Sequence, residues 1–446
     1  MVKFKLITGL LFFVLLVSGC RKSDYMLPLD ETIKDSGEGT GTVTWFADRE
    51  YILNGLVFVN DGQTLTIEPG TVIRARTGQA DKASALIVAR GGRIIAKGTA
   101  EDPIIFTVEG DDLQGSIPLE TRGLWGGLII LGNAPLNVSG NEAFIEGISI
   151  SEPRAVFGGD NPEDNSGVLQ YVSIRHGGTH IGEGNEINGL TLGGVGSGTL
   201  IDYVEIISNA DDGVEFFGGT VNCRHLAVAF CGDDAFDFDM GYQGKGQYWL
   251  AIQTPEIGNL IAELDGSPAH ASARPFTAPL IFNLTAIGRG QENPAGMISF
   301  RNNAGGAFIN SIFVDQQWGV RVEYNDNSDN SLEQWQEGNL LLAGNTFHNV
   351  AFDTPESIFT IIGDDPGQAL LQEWHAYFYD DGNQVNDPGI GADAATYRLF
   401  PDTAFQPGAL VTPADVWFEK AEYAGAFKNY NWLLGWSALH QEGIIR

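Results

Sequence analysis

Three cysteines, seven histidines and four methionines are all that this 446-residue chain holds of its softer metal ligands. A disulfide-dense scaffold or a Cys/His zinc module is therefore excluded. His176, His180 and His225 are scattered, and no pair of them has zinc spacing. Cys223 and Cys231 flank a predicted strand, Arg224 to Phe230, whose eight extended residues span roughly 26 Å. A disulfide needs its Cα atoms within about 7 Å, so unless a sharp turn joins them both thiols are predicted buried, reduced and core-facing. Basic residues are scarce as well: 25 Lys and Arg against 57 Asp and Glu leave a net charge of −32. That balance excludes nucleic acid and anionic membrane surfaces as partners and leaves cations, neutral glycans and basic protein surfaces. After Val17 no apolar run approaches the roughly 20 residues that span a bilayer.

What is abundant is repetition. Asp211-Asp212-Gly213-Val214-Glu215-Phe216 returns 22 positions later as Asp233-Asp234-Ala235-Phe236-Asp237-Phe238. The preceding strands keep the step: Tyr203-Val204-Glu205-Ile206 falls on His225-Leu226-Ala227-Val228, then on Gln247-Tyr248-Trp249-Leu250. A fixed short period with period-2 strands marks a solenoid, in which recurring residues become columns in space. About 400 residues are too many for one compact core but suit a core that grows along an axis.

The first residues read as a secretory leader: Lys3 and Lys5, an apolar core from Leu6 to Val17, then small residues. Val17-Ser18-Gly19-Cys20 resembles the lipobox of bacterial lipoproteins. The resemblance implies cleavage before Cys20, a diacylglyceryl thioether on its sulfur and a palmitate-type acyl group on the new N-terminus. Arg21 follows where many inner-membrane lipoproteins carry Asp, which favours the outer membrane.

The run Ala85 to Val88, Gly91 to Thr99 and Asp102 to Thr107 resembles one coil of bacterial right-handed parallel β-helices. Gly123 to Ile130 looks like the next, and right-handed crossovers are the rule for parallel strands. The expected fold is all-β: a right-handed parallel β-helix solenoid with polar loop insertions at about 110–122, 151–166, 179–188, 255–279 and 323–338, and a mixed α/β C-terminal cap. The expected divisions are 1–19 leader, 20–43 flexible lipid-anchored tether, 44–350 β-helix and 351–446 cap. In the cap, Leu370, Leu371 and Trp374 have helical spacing, and Thr412-Pro413-Ala414-Asp415 reads as the start of a second helix. Gly193 to Gly198 reads as a tight corner, because no helix follows it.

The 22-residue register predicts an outward column Thr191, Glu215, Asp237 and corner columns Ile187, Asp211, Asp233 and Asn188, Asp212, Asp234. Carboxylates one rung apart, about 4.8 Å, repel by roughly 3 kcal/mol at an effective dielectric near 20. Either a cation bridges them, or some stay protonated, or water screens Asp residues chosen because they suit corners. An all-oxygen set of Asp211, Asp212, Glu215, Asp233, Asp234 and Asp237 favours Ca²⁺ among cations. The Asp pairs also resemble those of polygalacturonase-type glycosidases, which would make Asp212, Asp233 and Asp234 catalytic. That resemblance implies a Gly-His-Gly and an Arg-x-Lys on later coils, and neither is present. A pectate-lyase mechanism needs an Arg base near the acids. Arg224 is the close candidate, and counting from Leu226 turns it inward. Trp125, Trp249, Trp318 and Trp335 are candidates either to stack on sugars or to pack under inserts.

The lipobox, tether, coils and the closing Asn431-Trp432-Leu433-Leu434-Gly435-Trp436 are together similar to β-helix lipoproteins of Bacteroidota. The resemblance implies a cell-surface outer-membrane protein that works beside a TonB-dependent transporter. Two functions follow as expectations: a non-enzymatic binding or accessory module for a glycan, cation or protein, or a polysaccharide lyase or hydrolase that uses the Asp ladder.

Overall fold

A computed structural model describes residues 31–445, apart from 183–184, 268–271, 327 and 394–395, and apart from the side chains of residues 81, 180–182 and 185–186. The leader (1–19), Cys20 and the first part of the expected tether lie outside the described residues.

Strands of successive coils pair in parallel and build a β-helix with two long sheets. The second sheet runs in strict chain order, from Leu56–Val59 through Ala85–Val88, Leu128–Leu131, Leu190–Gly193, Val214–Phe217, Phe236–Asp239, Leu260–Asp265, Gly296–Arg301 and Trp318–Tyr324 to Phe359–Gly363. Alternation along each strand sends every second side chain inward. Val214 therefore lies on Phe236 and Phe216 on Phe238, as the period predicts. The Phe216 and Phe238 rings stack at 5.0 Å, and Trp249 closes on Phe236 at 4.6 Å. Burying one aromatic side chain in such a column contributes roughly 2–3 kcal/mol.

The first sheet takes two strand segments from each coil, joined at a residue with positive φ: Tyr171, Tyr203, His225, Tyr248, Asn283 and Asn310 on successive coils. That left-handed residue bends the strand and resets the alternation. Cys223 and Leu226 both point inward and are fully buried, although they are an odd number of residues apart. The inward placement expected for Arg224 is thereby overturned. Its guanidinium lies on the outside over the Trp417 ring, 4.5 Å from the centroid.

The third repeat also needs correcting. Val204 lies on Leu226 as expected, but Ala227 lies on Leu250 rather than on Trp249. The turn between Asp239 and Lys245 holds one residue more than that between Phe217 and Asn222, so this coil advances by 23 positions. The shift puts Trp249 in the core and Tyr248 in the outward ring stack with His225, at 5.2 Å.

Residues 31–43, expected as tether, are seated on the first coil. Glu31–Ile33 pairs with Tyr51–Leu53, and the Asp35 carboxylate accepts the Gly37 and Gly39 amides and binds Arg154 at 2.6 Å. The insertion before Gly167 begins at about 132, earlier than expected, for a physical reason. The first rungs of the second sheet are apolar on their outer face too (Phe58, Ile87, Ile129, Leu131), and Leu136, Ile145, Ile148 and Phe157 of the insertion cover them.

The described part of the expected cap, 351–445, does two things. Gln368–Asp380 forms the expected helix and sets Trp374 and Phe378 against Phe359 at the last coil. From about 400 onward the chain returns as a strap along the outside of the first sheet. No helix forms at Thr412, because Val411 exchanges hydrogen bonds with the Asn310 side chain and Asp415 binds Lys245. The backbone thus satisfies itself against the coils instead of within a helix. Cys223 and Cys231 are both free and buried.

Candidate functional site

The outer face of the second sheet changes character where the insertion ends. Thr191, Glu215, Asp237 and Glu263 stand in one parallel column across four adjacent strands. Phe217, Asp239 and Asp265 follow in the next column, with Asp239 one rung from Phe217. At the preceding corner Asp212 and Asp234 are stacked: the Asp234 amide donates to Asp212 Oδ1 at 2.8 Å, and the Leu260 amide donates to Asp234 Oδ1 at 2.6 Å. The repeated Asp-Asp-Gly/Ala turn thus uses its second Asp as a side-chain cap for the coil above.

Those caps leave the carboxylates crowded. One oxygen each of Asp212, Glu215 and Asp237 lies within 4.8 Å of the others, and Asp211, Asp212 and Asp233 form a second such trio that shares Asp212. Asp212, Glu215 and Asp234 are only 8%, 7% and 4% exposed, Asp211 and Asp237 are half-buried, and Asp233 is exposed. Burial raises the pKa of Asp212, Glu215, Asp234 and Asp237, and neighbouring carboxylates push each further in the same direction. Asp239 is pushed up to about 7, chiefly by burial. At the far end Arg301 supplies positive charge, 2.7 Å from Glu263 and 3.4 Å from Asp265.

The chain's own donors do not satisfy this strip. Asn188, 1% exposed, gives its amide nitrogen to Glu215 and to Glu146 of the insertion, while its Oδ1 meets no donor. Asp237 Oδ1 is buried without a hydrogen bond too. An unmade bond at a buried polar atom costs about 1–3 kcal/mol. The uncommitted atoms at Asn188 and Asp237 are both oxygens, the ligand type of a hard divalent cation.

The six acidic residues singled out from the period do come together. The period did not disclose Glu263 and Asp265, because the 253–259 loop lengthens their coil and breaks the 22-residue step. Asp239 was visible as the position 22 after Phe217 but lacked an acidic partner there. Glu146 arrives on the insertion, and nothing in the repeat could have announced it. Asn188 was in the predicted column, but its orphaned oxygen is a three-dimensional fact. Trp125 and Trp249 are fully buried and unavailable to a sugar. Trp335 packs edge-on against Trp374, and Trp318 lies under Arg321. His176 is buried, with Nδ1 against the Thr121 carbonyl at 2.6 Å, and His225 pairs with Asp202 at 2.8 Å. The His180 side chain lies outside the described ones.

A family model described as a pectate-lyase-like beta helix domain matches residues 37–393. No curated protein and no solved structure matches the chain.

Proposed function

The chain belongs to the pectate-lyase-like β-helix family, and from that premise we propose that it is a non-enzymatic binding or accessory module whose acidic strip holds Ca²⁺. The observation that carries this reading is the close trio Asp212, Glu215 and Asp237 beside the buried, donorless Asn188 Oδ1. A bound cation would turn mutual repulsion into shared coordination and give those oxygens a partner. In this reading Asp212 gives Oδ1 to the scaffold and its other oxygen to the cation, while Asp234 serves the scaffold; each accepts a backbone amide of the neighbouring coil. The lipobox-like Val17-Ser18-Gly19-Cys20 supports anchorage of the module through Cys20 at the outer membrane, on the cell surface, as in the Bacteroidota lipoproteins it resembles. A TonB-dependent transporter is its expected neighbour there.

Calorimetric titration with Ca²⁺ after chelator treatment tests the reading. Saturable binding with a rise in melting temperature is expected, and both should vanish in Asp237→Asn. A melting temperature indifferent to chelator and to Ca²⁺ would sink it. Labelled palmitate should enter the wild type and not Cys20→Ser.

A polysaccharide hydrolase or lyase is the second reading. It draws on the raised carboxyls of Asp212 and Asp234, because a general acid must hold its proton near neutral pH. New reducing ends or unsaturated product from uronic-acid polymers, abolished by Asp234→Asn, would establish it over the first.

A further inference from the structure

The strap leaves a second feature on the other sheet, which the acidic strip does not explain. Between it and the first sheet lies a cleft of about 250 Å³, lined by Ser197, Leu200, Asp202, Asn222, Arg224 and Trp417 among others. We propose that this cleft binds one neutral pyranose unit of a glycan.

The Trp417 side chain is held in place from several directions. Its amide donates to Asp415 Oδ1 at 2.8 Å, and Lys245 grips Asp415 in turn. Its carbonyl accepts from Arg224. The next residue, Phe418, is buried against Phe282 with centroids 4.6 Å apart. The indole is therefore anchored, with one face under the Arg224 guanidinium, and the rest of it stays partly exposed at the cleft. Leu200, 45% exposed, adds a second apolar surface at the same opening. Rigid aromatic and aliphatic walls of this kind suit the C–H face of a sugar ring.

Polar groups converge on the same space. Asp202 gives one oxygen to His225 at 2.8 Å and keeps the other as an acceptor. Asn222 gives its oxygen to the Lys245 amide at 3.0 Å and keeps its NH₂ as a donor. One acceptor and one donor beside an apolar wall match a group whose hydroxyls both donate and accept. The volume equals about eight waters at roughly 30 Å³ each, the scale of a single ring.

Charge selects against acidic sugars. The Arg224 guanidinium is already matched by Glu419 at 3.6 Å, and Lys245 by Asp415. With Asp202 alongside, a uronate or sulfate would meet carboxylates and no uncommitted cation.

The test is affinity electrophoresis of the full chain in gels containing soluble glucan, mannan, xylan or galactan, with polygalacturonate as the acidic arm. At least one neutral polysaccharide should retard the protein, in EDTA as well as in Ca²⁺, because the cleft and the acidic strip lie on different sheets. Trp417→Ala should weaken that retardation about tenfold or more, as loss of a buried aromatic anchor does. Trp417→Ala could loosen the strap, so Leu200→Glu serves as a second variant. It sets a charge at an exposed position of the opening and should weaken binding with an unchanged melting temperature. Retardation by polygalacturonate alone, by none of the polymers, or undiminished in Leu200→Glu overturns the proposal. Loss of Ca²⁺ binding with sugar retardation intact would instead count against the acidic-strip reading alone.

Discussion

Glu205 fastens the strap, and its removal is the sharpest perturbation the fold offers. The carboxylate is fully buried on the outer side of the first sheet. Its Oε1 accepts from Ser173 Oγ at 2.5 Å and from the Ala438 amide at 2.7 Å, and Arg175 lies at 3.9 Å. Arg175, itself almost fully buried, also donates to Ser173 at 2.8 Å and to Gln441 at 3.2 Å. Glu205→Ala strips the acceptor from Ala438 and strands the Arg175 charge. Breaking a buried pair from one side costs about 3–5 kcal/mol. Unfolding entropy near 2.1 cal/mol/K per residue over a cooperative unit of this length turns that into a Tm loss of only about 3–6 °C. Hydrogen exchange is therefore the better assay. The amides from Ala424 to Leu439 should lose protection by a factor of a hundred or more (RT ln 100 is about 2.7 kcal/mol), while those of the inner strands hold theirs. The combined Arg175→Met, Glu205→Leu variant should be milder than Glu205→Ala, because no charge is then left buried alone. Unchanged exchange around Ala438 in Glu205→Ala, or a double variant worse than the single, would refute the latch.

In chelator the acidic strip should make the fold weaker as pH rises. Asp239 goes from an ordinary 3.8 to about 7 in the fold, so between those values the folded chain holds a proton that the unfolded chain has released, and stability falls across that window. Melting curves from pH 4 to 8 should show a shallower fall for Asp239→Asn and a restored Tm at pH 8 on adding Ca²⁺. Gly213→Ala should cost about 1–3 kcal/mol by overpacking, since a Cβ there would stand 2.3 Å from Val228 Cγ1 and 2.7 Å from the Ala235 carbonyl; its Tm reads the effect directly. Burial pushes the Cys223 thiol up and Cys231 to about 12, so neither should react with a thiol reagent until the protein is denatured. Prompt labelling of either would show that the coils open there.

The coil geometry was readable because stacking turns period into position: Glu215 on Asp237 and Val204 on Leu226 required nothing beyond the spacing. Reading failed where a residue leaves the repeating backbone. One left-handed residue at 225 reverses the parity on which the placement of Arg224 rested. One added residue in the turn after Asp239 displaces Leu226 from Tyr248 to Trp249. Thr412-Pro413-Ala414-Asp415 carries sound helix-start chemistry, yet Asn310 and Lys245, distant in sequence, offered its backbone and side chain better partners. The acidic ladder was legible as residues, but its burial and the unmet Asn188 oxygen are three-dimensional facts, and Glu146 reaches Asn188 from an insertion outside the repeat.

The returning C-terminal segment also has a bearing on how long such a protein can be. It is pinned at Asn310 through Val411, at Gln247 through Glu419, at Asn283 through Tyr423 and at Glu205 through Ala438. Each pin belongs to a different coil, so duplicating a repeat unit between Glu205 and Asn310 would move the fixing points apart by about 4.8 Å. A bare solenoid tolerates such lengthening; this one carries a molecular ruler, and its tally of turns can change only if the ruler is recut with it.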